Sequence, residues 1–213
     1  MFDIEYKGGN AIVISTKKVG VAIDPKRSVF GKKDLAIKDG VELATERRFL
    51  TGDAAYRVSL EGAGEYEVSD IQIKGVPTYR HLDDPKTATK DSTIYVLTIN
   101  GIRIAVLGNI VPDLTDEQLE EIGVVDILVV PVGGNGYTLD ATAAVSVVKA
   151  IDPKIVVPVH YAEPTLSYEV PQDKLDDFIN TLKAPVVEEP KLKIKTEQDL
   201  PPALEVRKLA LAT

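Results

Sequence analysis

The fold of this chain is decided by residues 126–161, which read DILVVPVGGNGYTLDATAAVSVVKAIDPKIVVPVHY. Its two apolar runs, Ile127–Val132 and Ile155–Val159, are unbroken, which is typical of strands that are covered on both faces. The segment between them has helical periodicity, so the unit is predicted to be a strand, a glycine loop, a helix and a parallel strand. Sites in such sheets form at the carboxyl ends of the strands, where both Gly133–Gly136 and His160 fall.

Composition indicates an ordinary soluble globular protein. The chain has 213 residues, of which 44% are hydrophobic and 27% charged, and no apolar run approaches the roughly 20 residues that cross a bilayer. No repeat or low-complexity linker divides it, so residues 1–213 are expected to form a single domain. The first residues lack a secretory pattern and the chain has no cysteine, which leads us to expect a cytoplasmic protein without a membrane partner.

The charge balance bears on the partners. Asp and Glu number 33 against 25 Lys and Arg, a formal net charge of −8. An acidic chain repels a phosphate backbone, so nucleic-acid binding is disfavoured. The basic pairs in the first quarter, such as Lys17-Lys18 and Arg47-Arg48, are scattered in the manner of a solvated surface. A small anionic ligand and a homo-oligomer both stay open.

Strand patterns precede the central unit. Residues 2–23 are predicted to form three short strands, and Asp34–Ile37 and Val41–Leu43 two more. From residue 56 to 106 the pattern is strongly β, with Asn100-Gly101 as a two-residue hairpin because both positions tolerate a positive φ.

Helix signals are clearest after residue 114. Thr115 and Gln118 form a capping box, and Gly123 is expected to end that helix. Asp140 stands where a helix start favours negative charge. Pro171 is predicted to open the last helix, and the tail after Lys191 to add a strand or two.

Two histidines are candidates for a metal site. His81 and His160 each follow a strand, and imidazole is the commonest zinc ligand. Catalytic zinc usually takes three protein ligands, so Asp24, Asp83 or Asp84 would have to complete the set. The alternative is that His160 makes one hydrogen bond at a strand end, His81 lies on the surface, and Asp24 is a turn former before proline.

The glycine loop is a second candidate. In Gly133-Gly134-Asn135-Gly136, backbone N–H groups could approach an anion at a helix N-terminus. The loop is neither a Walker loop nor a dinucleotide fingerprint, and a tight strand-to-helix turn is the favoured interpretation. A Ser–His–Asp arrangement around His160 is disfavoured because no G-x-S-x-G elbow is present.

Several motifs stand in order along nearly the whole chain. They are Ile23-Asp24-Pro25, Gly64–Val68, Leu107-Gly108-Asn109, Leu114–Leu119, Pro131–Gly134, Tyr137–Asp140 and Pro158–Tyr161. Together they resemble the metallo-β-lactamase superfamily, in particular its small single-domain zinc-dependent hydrolases similar to the ascorbate-phosphate lactonase-like proteins. The resemblance implies an α/β fold, an αββα sandwich of two mixed β-sheets packed face to face with helices outside.

The family's chemistry is metal-activated water, commonly at two zinc ions. The resemblance implies that His81 and His160 are retained site residues. The family's H-x-H-x-D-H loop has no counterpart, because Ala44–Leu50 read ATERRFL. Its glycine-histidine is Gly9-Asn10, and its bridging aspartate is Asn109, a far weaker ligand.

The sequence therefore predicts a degenerate member that keeps the fold, has lost the dinuclear hydrolase site and needs no cofactor. It would bind or scaffold instead, with a small anionic ligand at Gly133–Gly136, Arg47 and Arg48. The alternative is a metal-dependent hydrolase of a phosphodiester, lactone or related ester. It would use zinc or another divalent metal at a site rebuilt from His81, His160 and a carboxylate such as Asp24 or Asp83, with Asn109 as a further neighbour.

Overall fold

The computed structural model describes residues 1–81 and 89–212. Within these residues one sheet has six strands, in the order β13-β1-β2-β3-β4-β5. It is mixed, since β3, β4 and β5 run parallel while β13, β1, β2 and β3 alternate in direction. The bounds of its strands are β1 Phe2–Gly8, β2 Ala11–Thr16, β3 Gly20–Ile23, β4 Gly40–Ala44, β5 Tyr56–Glu61 and β13 Leu192–Ile194.

The second sheet has eight strands among the described residues, in the order β12-β14-β11-β10-β9-β8-β7-β6. Its half from β12 to β9 is parallel and its half from β9 to β6 is antiparallel. The bounds of its strands are β6 Gly64–Val68, β7 Ile71–Thr78, β8 Ser92–Ile99, β9 Ile102–Val106, β10 Ile127–Pro131, β11 Ile155–Val159, β12 Val186–Glu189 and β14 Glu205–Leu209.

The central unit has the predicted form. Strands β10 and β11 pair in parallel, with Ile127 opposite Ile155, and both are buried along their whole length. The helix between them, α2 (Ala141–Ile151), begins at Asp140, whose side chain accepts a hydrogen bond from the backbone N–H of Ala143 over 2.8 Å. This places the glycine loop and His160 side by side at the carboxyl ends of the two strands.

The core lies between the two sheets. Residues on β1 alternate between buried and half-buried, so that Phe2, Ile4 and Tyr6 face inward. They join one hydrophobic cluster with residues of the eight-stranded sheet and of α2. Helix α1 (Asp116–Ile122) contacts β7, α2 contacts β10, and α3 (Leu175–Leu182) packs on α2. The predicted fold class, an α/β sandwich of two mixed sheets, is confirmed.

Two predicted local signals are also confirmed. Thr115 and Gln118 form the capping box of α1, and Gly123 ends that helix. Asn100 and Gly101 both have a positive φ, as a tight hairpin between β8 and β9 requires. None of the helices in the described part of the chain is long and apolar enough to span a membrane.

The prediction of a strand at Asp34–Ile37 is wrong. This segment has no regular structure, because its apolar side chains cover the sheet rather than extend it. Leu35 and Ile37 pack against a small cluster of Val13, Ala22 and Tyr56. Since neighbours of Val13 and Ala22 along their strands point into the core, this cluster lies on the outer face of the six-stranded sheet.

The predicted helix start at Pro171 is also wrong. Helix α3 begins after Lys174, and its first residue is Leu175. The residues between fasten the chain to the glycine loop instead: the backbone N–H of Asp173 donates to the carbonyl of Gly133 over 2.6 Å, and its carbonyl accepts from Ala162 over 2.9 Å. These contacts hold an extended backbone where the proline was expected to open a helix.

Candidate functional site

Polar residues from separate strand ends meet at one edge of the sandwich. They follow β1, β3, β4, β9 and β11, and they are Asn10, Asp24, Glu46, Asn109 and His160. Each is at most 4% exposed. Burial of five polar side chains is costly unless they bond to one another or to the backbone, so their contacts define the site.

His160 is clamped in a left-handed backbone conformation, with a φ of 51°. Its backbone N–H donates to the carbonyl of Gly9 over 2.8 Å, and its Nδ1 lies 3.0 Å from Oδ1 of Asn10. The ring stacks on Tyr168 with centroids 5.1 Å apart and meets Tyr137 at 5.4 Å. Burial, with the positive charge of Arg48 adding to it, lowers the pKa of His160 to about 3, so the imidazole is neutral at physiological pH.

A chain of hydrogen bonds runs from this histidine to a carboxylate. Nδ2 of Asn10 donates to Oδ1 of Asn109 over 2.9 Å, and Nδ2 of Asn109 donates to Oε1 of Glu46 over 3.2 Å. Both amides are thereby occupied with each other and with their neighbours. Side-chain hydrogen bonds thus join residues that follow four different strands, β1, β4, β9 and β11.

Arg48 closes the chain at the carboxylate end. Its Nη2 donates to Oε1 of Glu46 over 3.0 Å, and its Nε lies 2.9 Å from Oε2. The second contact is an ion pair without hydrogen-bond geometry, since Oε2 has no hydrogen-bond partner among the described residues. The guanidinium also lies over the rings of Phe49 and Tyr137, at 4.7 and 5.2 Å from their centroids.

Asp24 is a buried carboxylate beside this chain. Both its oxygens accept from Thr45, one from the backbone N–H and one from the hydroxyl, each over 2.7 Å. Burial raises the pKa of Asp24 to about 7, although the two bonds from Thr45 act in the opposite direction. Asp24 is thus a part of the site's wall and is bonded to Thr45, the residue that precedes Glu46. The sequence allowed two interpretations of Asp24, a site carboxylate and a turn former. Both have a structural basis, since Asp24 lies in the site and has a φ of 51°.

His81 belongs to a different part of this edge. Its backbone N–H donates to the carbonyl of Asn109 over 2.9 Å, and its Nδ1 lies 3.3 Å from the carbonyl of Ile110. It does not line the cavity that His160 faces. The other predicted carboxylates of that loop, Asp83 and Asp84, lie outside the described residues.

The glycine loop is held by a carboxylate of the chain itself. A Cβ on Gly133 would lie 2.2 Å from the carbonyl oxygen of His160, so only glycine allows the two strand ends to approach. A Cβ on Gly134 would lie 2.4 Å from Oδ2 of Asp173, and Nδ2 of Asn135 donates to its Oδ1 over 2.8 Å. The predicted anion site at Gly133–Gly136 stays a prediction, and an anion there would have Asp173 as its neighbour.

The two arginines that were predicted to contact an anionic ligand, Arg47 and Arg48, lie in different surroundings. Arg48 points to the site, whereas the side chain of Arg47 is 87% exposed and lies 3.7 Å from Glu61. Only Arg48 lines the cavity next to His160.

That cavity has a volume of about 80 Å³. Aromatic rings form much of its wall, and sequence reasoning missed three of them, Phe30, Phe49 and Tyr168. They come from distant segments, and no local signal joins them. Glu46 had a signal, since it closely follows the buried strand β4 and charged residues near strand ends mark such sites. The polar residues on the wall include Asn10, Asp24, Arg48, His160 and Gln172.

Comparison with known proteins shows to which family this chain belongs. Residues 3–160 match the family described as the beta-lactamase superfamily domain, and the chain belongs to that family. The matched region ends on His160 and contains every strand end that forms the site.

Relatives with this sequence pattern occur in archaea. A UPF0173 metal-dependent hydrolase from Thermococcus onnurineus is 30% identical over 99 residues, which cover 46% of this chain and 44% of that protein. A UPF0173 protein from Pyrococcus abyssi is 28% identical over 183 residues, which cover 74% of this chain and 82% of that protein. The match to the first of these thus spans less than half of its length.

Solved structures share the architecture. A Thermotoga maritima structure ascribed to the metallo-beta-lactamase superfamily has a TM-score of 0.77 at 22% identity, covering 98% of this chain and 99% of that one. Igni18, a metallo hydrolase from Ignicoccus hospitalis, has a TM-score of 0.60 at 18% identity, covering 85% and 90%. At these identities the likeness shows a metallo-β-lactamase fold, and the resemblance seen in the sequence is confirmed at that level.

Proposed function

We propose that this chain is a binding member of its family, which does not use the dinuclear metal chemistry of a hydrolase. The observation that carries the proposal is the closed chain of side chains from His160 through Asn10 and Asn109 to Glu46. Nδ1 of His160, the amides of Asn10 and Asn109, and Oε1 of Glu46 are already bonded to one another. No reaction step is therefore assigned to a metal.

The donor chemistry at the site does not fit a zinc pair. Zinc takes imidazole, thiolate and carboxylate ligands, and a catalytic ion has three from the protein. Here Asn10 and Asn109 are neutral amides, while the carboxylates of Asp24 and Glu46 accept from Thr45 and Arg48. Among residues 1–81 and 89–212, no group of three or more His, Cys, Asp or Glu is arranged to hold a metal ion.

Arg48 places a positive charge at this edge of the sandwich. The family's H-x-H-x-D-H loop is expected directly after β4, and Glu46 and Arg48 lie in the segment that follows this strand. A guanidinium bound to a carboxylate would thus stand where the family binds a cation. A dication brought beside Arg48 would be repelled by it.

The cavity supports a binding role for the same edge. Its wall includes the rings of Tyr137 and Tyr168 together with Arg48 and His160. Sites for small molecules have this character, with apolar walls and a few placed polar groups.

A metal-dependent hydrolase is the second candidate, because a relative carries that name and Asp24 lines the cavity together with His160. Its single-metal site would need His81 as a third ligand. The Nδ1 contact of His81 with Ile110 would then have to be exchanged for the metal, or Nε2 used instead.

Metal analysis of protein purified without a histidine tag separates the two functions. We expect no stoichiometric metal, and no hydrolysis of phosphodiester or lactone probes after zinc or manganese is added. One equivalent of metal that disappears in His160→Ala, together with metal-dependent hydrolysis, would replace the binding role with the hydrolase.

A further inference from the structure

The chain of hydrogen bonds at the site has a fixed direction. The carboxylate of Glu46 is ion-paired with Arg48, so it is ionised and can only accept. Asn109 therefore presents its Nδ2 to Glu46 and its Oδ1 to Asn10. Asn10 must in turn donate to that oxygen, which leaves its own Oδ1 for His160.

This direction sets the tautomer of His160. Since Oδ1 of Asn10 is an acceptor, Nδ1 of His160 carries the hydrogen and donates it. The ring is 4% exposed and lies between Tyr137 and Tyr168, which disfavours a charged imidazolium. Nε2 then bears a lone pair, and no hydrogen-bond partner for it lies in residues 1–81 or 89–212. A ligand at Nε2 must bring a hydrogen-bond donor.

A hydrogen-bond donor of the protein faces the same space. Glu46 takes Nε and Nη2 of Arg48. The guanidinium also shares a side-chain hydrogen bond with Tyr137, and because Nη1 carries two hydrogens, at least one of them remains for a ligand. The guanidinium and the imidazole both contact the ring of Tyr137, at 5.2 and 5.4 Å, and both line the cavity. The wall therefore pairs one acceptor, Nε2 of His160, with one donor, Nη1 of Arg48.

Size and charge restrict the ligand further. The cavity volume of about 80 Å³ admits a group of a few non-hydrogen atoms, since a cavity of about 150 Å³ holds one benzene. The charge of Arg48 is already balanced by Glu46, so an anion gains no free counter-ion there. The carboxyl groups of Asp24 and of the exposed Glu169 also lie on the wall, and the positive charge of Arg48 opposes a cation between them. Flat aromatic walls favour a planar group.

We propose that this cavity binds an uncharged primary or secondary amide group. Its N–H donates to Nε2 of His160, and its carbonyl oxygen accepts from Nη1 of Arg48. The inference rests on the proposed binding function and names the class of ligand for it. An amide presents both complementary groups on one planar unit.

The test uses acetamide and the ¹⁵N resonances of the histidine rings, which are simple because the chain has two histidines. We expect His160 to show a protonated Nδ1 and a bare Nε2, and acetamide to shift the Nε2 resonance to saturation. Acetone has the same shape and carbonyl but no N–H, so it should bind roughly tenfold or more weakly, the loss of about one hydrogen bond. Arg48→Met should weaken the binding of acetamide by a similar factor. Arg57→Met, a control at an exposed position, should leave acetamide binding unchanged.

The amide proposal would be overturned by a protonated Nε2, or by acetone binding as well as acetamide. Acetate binding more tightly than acetamide would also overturn it, in favour of an anion. Zinc added to the same sample reports separately on the proposed function. A shift of the His160 resonances that saturates at one equivalent of zinc would refute the binding role. If neither zinc nor acetamide shifts these resonances, the amide ligand alone is refuted.

Discussion

The side-chain amides of Asn10 and Asn109 bond directly to each other across 99 residues of sequence, with Nδ2 of Asn10 donating to Oδ1 of Asn109 over 2.9 Å. The two residues follow strands of opposite sheets, β1 and β9. Their contact joins the two sheets at the edge where the candidate site lies. It gives this edge a connection that requires no bound ion.

Asn10→Ala is expected to destabilise the protein by about 1–3 kcal/mol, because it leaves buried groups of Asn109 and His160 without partners. Urea denaturation measures the free energy of unfolding. In the double variant Asn10→Ala/Asn109→Ala the cost should be clearly less than the sum of the single costs, since the two residues share one bond. Asn180→Ala, at an exposed position, is the control, and an equally small effect of Asn10→Ala would show that the amide pair is dispensable.

Arg48→Met should cost about 1–3 kcal/mol, less than a fully buried pair because the arginine side chain is 40% exposed. The loss comes from the carboxylate of Glu46, which is 3% exposed and would lose its cation. Adding Glu46→Gln to Arg48→Met should restore part of the stability. The neighbouring Arg47→Met should stay within about 0.5 kcal/mol of the native protein, and equal costs at the two arginines would contradict the assigned role of Arg48.

The carboxyl group of Asp24 should make the protein less stable as the pH rises. Its pKa is about 7 in the folded protein against an ordinary value of 3.8, so at intermediate pH the folded state holds a proton that the unfolded state has lost. The associated stability is complete below about pH 4 and is lost as the pH rises through 7. Asp24→Asn removes this dependence. The free energy of unfolding of the variant, relative to that of the native protein, should therefore rise between pH 4 and pH 7, by at most about 4 kcal/mol.

The comparison with Asp24→Asn is needed because His160 acts in the opposite direction. Its pKa is lowered to about 3 by burial and by Arg48, so stability associated with His160 is lost as the pH falls below about 6.5. That contribution is common to both proteins and cancels in their difference. A difference that is flat from pH 4 to pH 8, measured by urea denaturation, would contradict the assignment to Asp24.

The architecture was predictable from short-range patterns. The unbroken runs Ile127–Val132 and Ile155–Val159 required buried parallel strands, and Asn100-Gly101 required a hairpin. Where the prediction failed, contacts distant in sequence decided the structure. Leu35 and Ile37 cover the outer face of a sheet, and Asp173 holds the backbone after Pro171 against the glycine loop.

The candidate site was predictable only in part. His160 could be placed at a strand end because its strand is strongly apolar, and Asn109 could be seen as a weak ligand. That Asn10 lies between these two residues follows from how the sheets pack, since β1 and β9 belong to different sheets. The role of Arg48 was equally out of reach, because its partners depend on the turn at Arg47–Phe49.

Calorimetric titration with zinc tests the central claim most directly, with the native protein beside the variant Asn10→His/Glu46→His/Arg48→His/Asn109→Asp. The variant replaces the bonded chain by ligands of the family's type and serves as the positive control. The native protein is predicted to show no saturable zinc binding, and the variant to bind zinc. Saturable one-to-one binding of zinc by the native protein would contradict the account.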